Sequence, residues 1–333
     1  MPYDLRPFVD GIRRTVENHL LEPGLYRRWR WQDGAGRRNL GADPYGCADA
    51  VNLLYTLAAL PAEPAARAAL AAGLQGFQDA GDDLWHDPTH HPYHTTAHCT
   101  AALELLEARP ARPLSALQPY LALGGIEGFL DGLEWVQSPW NASHQGAGVY
   151  AALVLAGEAD LAWQGRYFAW LWQETDEPTG LWRRRCVTAD GAAPLFHHLA
   201  GTFHYLFNLE YARRPLRCPE RLVDTCLAIW QRDLFPALGR AAGFAEVDWL
   251  FCLNRAGRQC GHRPAEARAA LAGFAERYVP YLAGLDFATD EALNDLHVLF
   301  GVACGLAELQ QALPGSIVTE RPLRLVLDRR PFI

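Results

Sequence analysis

Six stretches of this chain share one plan, and a repeat of that kind limits the fold more than any single motif does. DPYGCADAVNLLYTLAAL from Asp43, HPYHTTAHCTAALELLEARP from His91, SPWNASHQGAGVYAALVLAGE from Ser138 and APLFHHLAGTFHYLFNLEYARRP from Ala193 have a common form. Each starts with a loop proline, passes through small and polar residues, and continues as an apolar helix. AEVDWLFCLNRAGRQCGH from Ala245 and LNDLHVLFGVACGLAELQQAL from Leu293 are more divergent copies. Successive copies begin about 50 residues apart, which is room for two helices and their loops.

Amphipathic segments alternate with the copies: Leu5 to Leu21, Pro64 to Phe77, Leu114 to Leu133, Ala162 to Gln173, Pro219 to Leu234 and Pro264 to Leu285. Their apolar residues recur at helical spacing, and Pro-Glu at Pro219 and Pro-Ala-Glu at Pro264 are helix-start signals. The pattern predicts an all-α chain of six helical hairpins, with residues 1–333 forming one domain. EPGLYRRW, AGDDLWHDP, DGLEWVQSP and EPTGLWRRR follow four of the amphipathic segments, and each reads as a turn plus an aromatic plug closing its hairpin. Asp82, Asp83 and Asp87 spell DDxxxD, like the diphosphate-binding motif of class I terpene synthases, but they occupy a position that is a loop in the sister copies. Only the tail from Ser316 has the β-branched alternation of an extended segment.

Hydrophobic residues make up 50% of the chain and aromatic ones 11%, enough for a large packed core. No apolar run reaches the roughly 18 residues needed to span a bilayer, and MPYDLRPFVDGIRR has no secretory character, so a cytoplasmic protein without membrane insertion is expected. A net charge of −8 argues against nucleic-acid and anionic-membrane partners. The eight cysteines lack CxxC spacing and read as reduced core thiols. The chain contains no lysine, which excludes Schiff-base chemistry, pyridoxal phosphate enzymes and P-loops.

On repeat number and helix pattern the chain resembles the six-hairpin (α/α)6 toroid superfamily. That superfamily includes polysaccharide lyases, α/α-barrel glycosidases, squalene-type cyclases and protein prenyltransferases. The likeness implies six parallel inner helices, six outer helices antiparallel to them, and an active site at the mouth of the inner ring. The first turns of the six proline-started segments would line it.

Polar side chains do gather near those starts: Asp49 and Asn52; His94 and His98; Asn141, His144 and Gln145; His197, His198 and His204; Glu246, Asp248 and Asn254; Asn294, Asp295 and His297. Five of the twelve histidines fall in HDPTHHPYHTTAH, from His86 to His98. Helix N-termini also carry unpaired N–H groups and a partial positive charge, which suit a polar or anionic ligand. His94 and His98 lie four apart on one helix face, a spacing that can hold zinc with Asp49 or His144 from a neighbouring helix. The sequence specifies no cofactor and leaves zinc open.

Without a metal, His94 and His144 are the acid and base candidates, since imidazole exchanges protons near neutral pH. Asn141 would polarise the substrate, as the likeness to the Asn/His pair of α/α-barrel polysaccharide lyases implies, and His204 and Tyr205 are further catalytic candidates. Asp49, Gln145, His197, Trp140, Trp249, Asp248, Asn294 and His297 are expected to bind a small-molecule or glycan substrate, the tryptophans by stacking. The resulting expectation is a lyase or hydrolase using histidine acid/base chemistry on a carbohydrate-like compound. A terpenoid- or prenyl-processing enzyme and a non-catalytic ligand-binding toroid are the alternatives.

Overall fold

The computed structural model describes residues 2–188 and 191–332; Ile333, the last residue of the expected extended tail, lies outside them. The repeated segments form helices α2 (Pro44–Thr56), α4 (Pro92–Leu105), α6 (Pro139–Ala156), α8 (Leu195–Tyr211), α10 (Ala245–Cys260) and α12 (Leu296–Ala312). The segments between them form α1 (Arg6–His19), α3 (Pro64–Gly76), α5 (Gly125–Asp131), α7 (Leu161–Gln173), α9 (Pro219–Gln231) and α11 (Pro264–Ala283). α2 packs on α4, α4 on α6, α6 on α8, α8 on α10 and α10 on α12, and α12 packs back on α2. The chain is predominantly helical, and this order of contacts is compatible with a toroid of hairpins.

The two sets of helices differ in how they are covered. α1 and α9 bury one stripe each, Phe8, Ile12 and Val16 in the first and Leu222, Val223, Cys226 and Leu227 in the second, so they form an amphipathic outer layer. α12 is buried along most of its length, from Leu296 through Leu309, as expected for a helix with neighbours on all sides. Glycines let the even-numbered helices approach closely. A Cβ on Gly148 of α6 would lie 2.8 Å from the Tyr93 carbonyl oxygen of α4, and one on Gly201 of α8 would lie 2.9 Å from that of Pro139 in α6.

The aromatic plugs recur with the same bonds. The Trp85 and Trp182 backbone N–H groups donate to Thr96 Oγ1 at 3.0 Å and Thr202 Oγ1 at 3.1 Å. Their indole N–H groups donate outward to the Leu74 and Leu171 carbonyls, at 2.7 and 2.8 Å. The Leu114–Leu133 segment departs from the expected continuous helix. It opens as a 3₁₀ turn, Ser115–Leu121, containing Pro119, and then resets at Gly124, whose φ of 76° is left-handed. Proline lacks the N–H an α-helix needs, and glycine takes the positive φ without strain.

The tail is extended only briefly. Strand β1 (Tyr3–Asp4) pairs in parallel with β4 (Ile317–Val318); a short antiparallel ribbon, β2 (Leu20–Glu22) with β3 (Leu25–Tyr26), lies elsewhere. Beyond it the tail turns into the end of the molecule where the even-numbered helices finish. The Arg324 N–H donates to Thr56 O, Asn208 Nδ2 donates to Pro331 O, and Arg330 and Phe332 are fully buried. Arg255 binds both oxygens of Glu308, at 2.8 and 2.7 Å, and reaches Asp328 of the tail at 2.6 Å. No helix among the described residues is long and apolar enough to cross a membrane, and all eight cysteines are free.

Two substitutions test this packing by urea unfolding. Glu308→Ala leaves the 1%-exposed Arg255 with Asp328 as its remaining carboxylate and should destabilise the chain by at most about 3–5 kcal/mol. Gly148→Ala should lower stability by about 1–3 kcal/mol through overpacking against the start of α4.

Candidate active site

The N-terminal halves of α4, α6, α10 and α12 and the middle of α8 surround a cavity of about 200 Å³. Its histidine wall is made by His90, His94, His144, His204 and His297; Asp248, Trp140, Phe203 and Phe244 complete most of the lining. The His94 and His144 ring centres lie 4.3 Å apart, as do those of His144 and His204. One ring nitrogen from each of these three lies within 4.8 Å of the nitrogens from the other two.

Hydrogen bonds fix how the rings present themselves. The Ser143 hydroxyl donates to the Trp140 carbonyl at 2.7 Å, so its single proton is committed. It must therefore accept from His204 Nδ1, 3.0 Å away, which leaves the lone pair of His204 on Nε2. The Tyr45 hydroxyl is hydrogen-bonded to His94 Nδ1. The Tyr45 ring stacks on His90 at 4.5 Å and on His98 at 5.0 Å, holding the first turns of α2 and α4 together.

A second group lies beside the first. Asp49 Oδ1 accepts from His98 Nε2 at 2.8 Å and from His297 Nδ1 at 3.1 Å, and all three residues are buried. Burial opposes charge on Asp49, but His297 and His98 outweigh it and hold the carboxyl below its ordinary value. His98 is pushed down to about 4 by burial, against the pull of Asp49. The group is thus a carboxylate receiving N–H bonds from two imidazoles. With Nδ1 of His297 committed to Asp49, its Nε2 is the nitrogen left for the cavity it lines.

Burial, followed by the neighbouring imidazoles, pushes His94 and His144 well below the ordinary histidine value. Burial also lowers His204, to about 3, so all three are uncharged at neutral pH. Asp248 is displaced the other way. Burial, then the nearby Glu246, raises its carboxyl well above normal, and Asp248 Oδ1 has no hydrogen-bond partner among the described residues. Burial likewise raises Glu246 to about 7. Asp248, Trp140 and Phe244 are shared with an adjoining groove of about 340 Å³ that is walled by Phe196, Ala200 and Pro236 and rimmed by His197.

Of the residues singled out from sequence, His94, His144, His204, His297, Asp248 and Trp140 line the cavity, with Asp49 and His98 directly behind His297. His98 belongs with Asp49 rather than sharing a ligand group with His94. Asn141 is exposed and outside the lining, and the Gln145 side chain donates to its carbonyl at 3.4 Å. Tyr205 turns outward onto Trp135, with ring centres 5.5 Å apart. Trp249 packs on Phe274 between the layers and donates to Cys226 O at 2.9 Å. Asn294 ties down the loop at Arg30 and Trp31 through its side-chain oxygen.

Asp82, Asp83 and Asp87 hold loop contacts with His86, Arg112 and Thr89. Residues missed from sequence are Tyr45, His90, Ser143 and Arg28, the last lining the cavity while its guanidinium forks onto Asp295 at 2.8 and 2.9 Å. Three of these carried a signal, since Tyr45, His90 and Ser143 lie in or beside the repeated helix starts. No protein family, curated protein or solved structure matches this chain.

Glu246 gives a pH-dependent prediction. A carboxyl raised from 4.5 to about 7 on folding keeps its proton in the folded chain after the unfolded chain has lost it. That contribution to stability falls as pH rises from about 4.5 to 7. Glu246→Gln should flatten this part of the stability profile in denaturant titrations across that range. A profile that the substitution leaves unchanged means the carboxyl is hydrated.

Proposed function

We propose that the cavity is the active site of a hydrolase or lyase that acts on a polar, carbohydrate-like substrate by proton transfer, at the mouth of an (α/α)6 toroid. One observation carries this reading: His297, oriented by Asp49, and the carboxyl of Asp248, unpartnered among the described residues, open onto the same cavity. An acid and a base coexist at neutral pH only when their surroundings push their proton affinities apart. A carboxylate bonded to Nδ1–H holds an imidazole in one tautomer and supports the positive charge it gains on accepting a proton at Nε2. His297 is therefore the base and Asp49 its positioning residue.

Asp248, kept protonated by burial, is the acid that protonates the leaving oxygen. This division of labour differs from the one drawn from sequence. His94 and His144 are uncharged at neutral pH and have no cationic proton to give. Trp140, 42% exposed at the mouth, offers a face for a sugar ring. The apolar groove at Phe196, Pro236 and Phe244 supports a second reading in the same fold, a substrate with a terpenoid or prenyl portion lying along it.

The test is turnover of aryl glycosides, for hydrolysis, and of uronate oligosaccharides, for elimination. Asp248→Asn and His297→Ala should each lower kcat on the order of 10²- to 10⁴-fold. Asp248→Asn should also remove the alkaline limb of the kcat/KM profile while leaving thermal unfolding nearly unchanged. Turnover that survives both substitutions removes the assignment, and an inert wild-type protein across both panels removes the carbohydrate class.

A further inference from the structure

We propose that His94, His144 and His204 together bind one divalent transition metal, of the zinc class, on the wall of the cavity. Three helices deliver the three rings, and one nitrogen from each already lies within 4.8 Å of the other two. Zinc holds imidazole nitrogens at about 2.0–2.1 Å, so the rings need to rotate inward only slightly to share an ion. The proposal adds to the acid/base reading and leaves His297 and Asp248 in their roles.

The hydrogen bonds behind the rings supply an independent argument. Histidines that ligate metals bond their second nitrogen to a fixed partner, which sets the tautomer and the aim of the ring. His204 has such a partner in Ser143 Oγ, which leaves its Nε2 lone pair free, and the His94 ring is held by the bond between its Nδ1 and the Tyr45 hydroxyl. Burial keeps all three in the uncharged form, which is the form that ligates. Three protein ligands beside a cavity of about 200 Å³ leave a coordination position for a substrate oxygen or water, the arrangement of catalytic rather than structural zinc sites. An ion there would act as a Lewis acid next to His297 and Asp248.

The other two candidate groups are less suited. In the Asp49 group, Oδ1 already accepts from both histidines, so the imidazole nitrogens that face the carboxylate are committed to it. The Asp79, Asp82 and His86 group lies at the surface, and Asp82 and His86 already pair at 3.0 Å.

The experiment is metal binding by the full chain without substrate, so its failure and that of the acid/base reading are separable. Protein dialysed against zinc should retain one ion per chain by elemental analysis, and cobalt(II) should give the visible absorption of a four-coordinate nitrogen-rich site. His144→Ala and His204→Ala should each weaken binding on the order of 100-fold or more, and Ser143→Ala about 10- to 100-fold. His86→Ala should have no effect. If either histidine variant fails to fold, Ser143→Ala and the wild-type cobalt spectrum decide. The proposal is overturned by the lack of stoichiometric binding, or by affinity indifferent to His144 and His204. Binding lost in His98→Ala but kept in His144→Ala would also overturn it.

Discussion

The even-numbered helices have neighbours on nearly every side, and that constraint governs where their polar side chains can go. A buried polar group must find a partner, face a cavity, or destabilise the fold. Thr96 and Thr202 take the first course, accepting the N–H groups of the tryptophan plugs. His94, His144, His204 and Asp248 take the second, because their helices open at that level onto shared space. Glycine contacts at Gly148 and Gly201 draw the helices together, and the same close approach brings His94, His144 and His204 within reach of one another.

The electrostatics follow from that placement. Burial strips charge from His94, His144 and His204 and favours the protonated form of Asp248, so that, apart from the Arg28 guanidinium paired with Asp295, the cavity lining is polar with little formal charge. Asp49 is the exception, a buried carboxylate kept ionised by its two imidazole donors. A wall of neutral nitrogen donors suits a cation, and a protonated carboxyl facing it suits a substrate oxygen.

The hairpins were legible in the sequence because a repeated proline, polar and apolar order leaves little doubt about helix phase. All six amphipathic segments were visible too, except that Pro119 and Gly124 break one of them, an effect of local backbone chemistry that hydrophobic spacing does not encode. The histidine gathering was legible in outline, but its grouping was not. A separation of four residues puts His94 and His98 on one helix face, yet neighbouring helices divide that face, Tyr45 and His144 meeting one ring and Asp49 and His297 the other. Tyr205 and Trp249 were misplaced for a related reason. Periodicity gives the direction of a side chain only relative to its own helix, and these two point to the outer layer.

The tail shows why a segment with weak local signals can still matter to the site. Phe332 lies 4.9 Å from His94 and 6.1 Å from His204, and it packs beneath the histidine wall, opposite the mouth. Arg330 is fully buried beside Phe300; burial lowers it to about 10, so it stays cationic at neutral pH. Its charge attracts Asp49 and disfavours a proton on His98, which keeps the Asp49 group a carboxylate with neutral donors. Packing the floor with Phe332 also excludes water from behind the rings, and charge interactions weaken far less across a dry interior than across water. The same residues that pack beneath the cavity therefore strengthen the field in which the histidines and Asp248 sit.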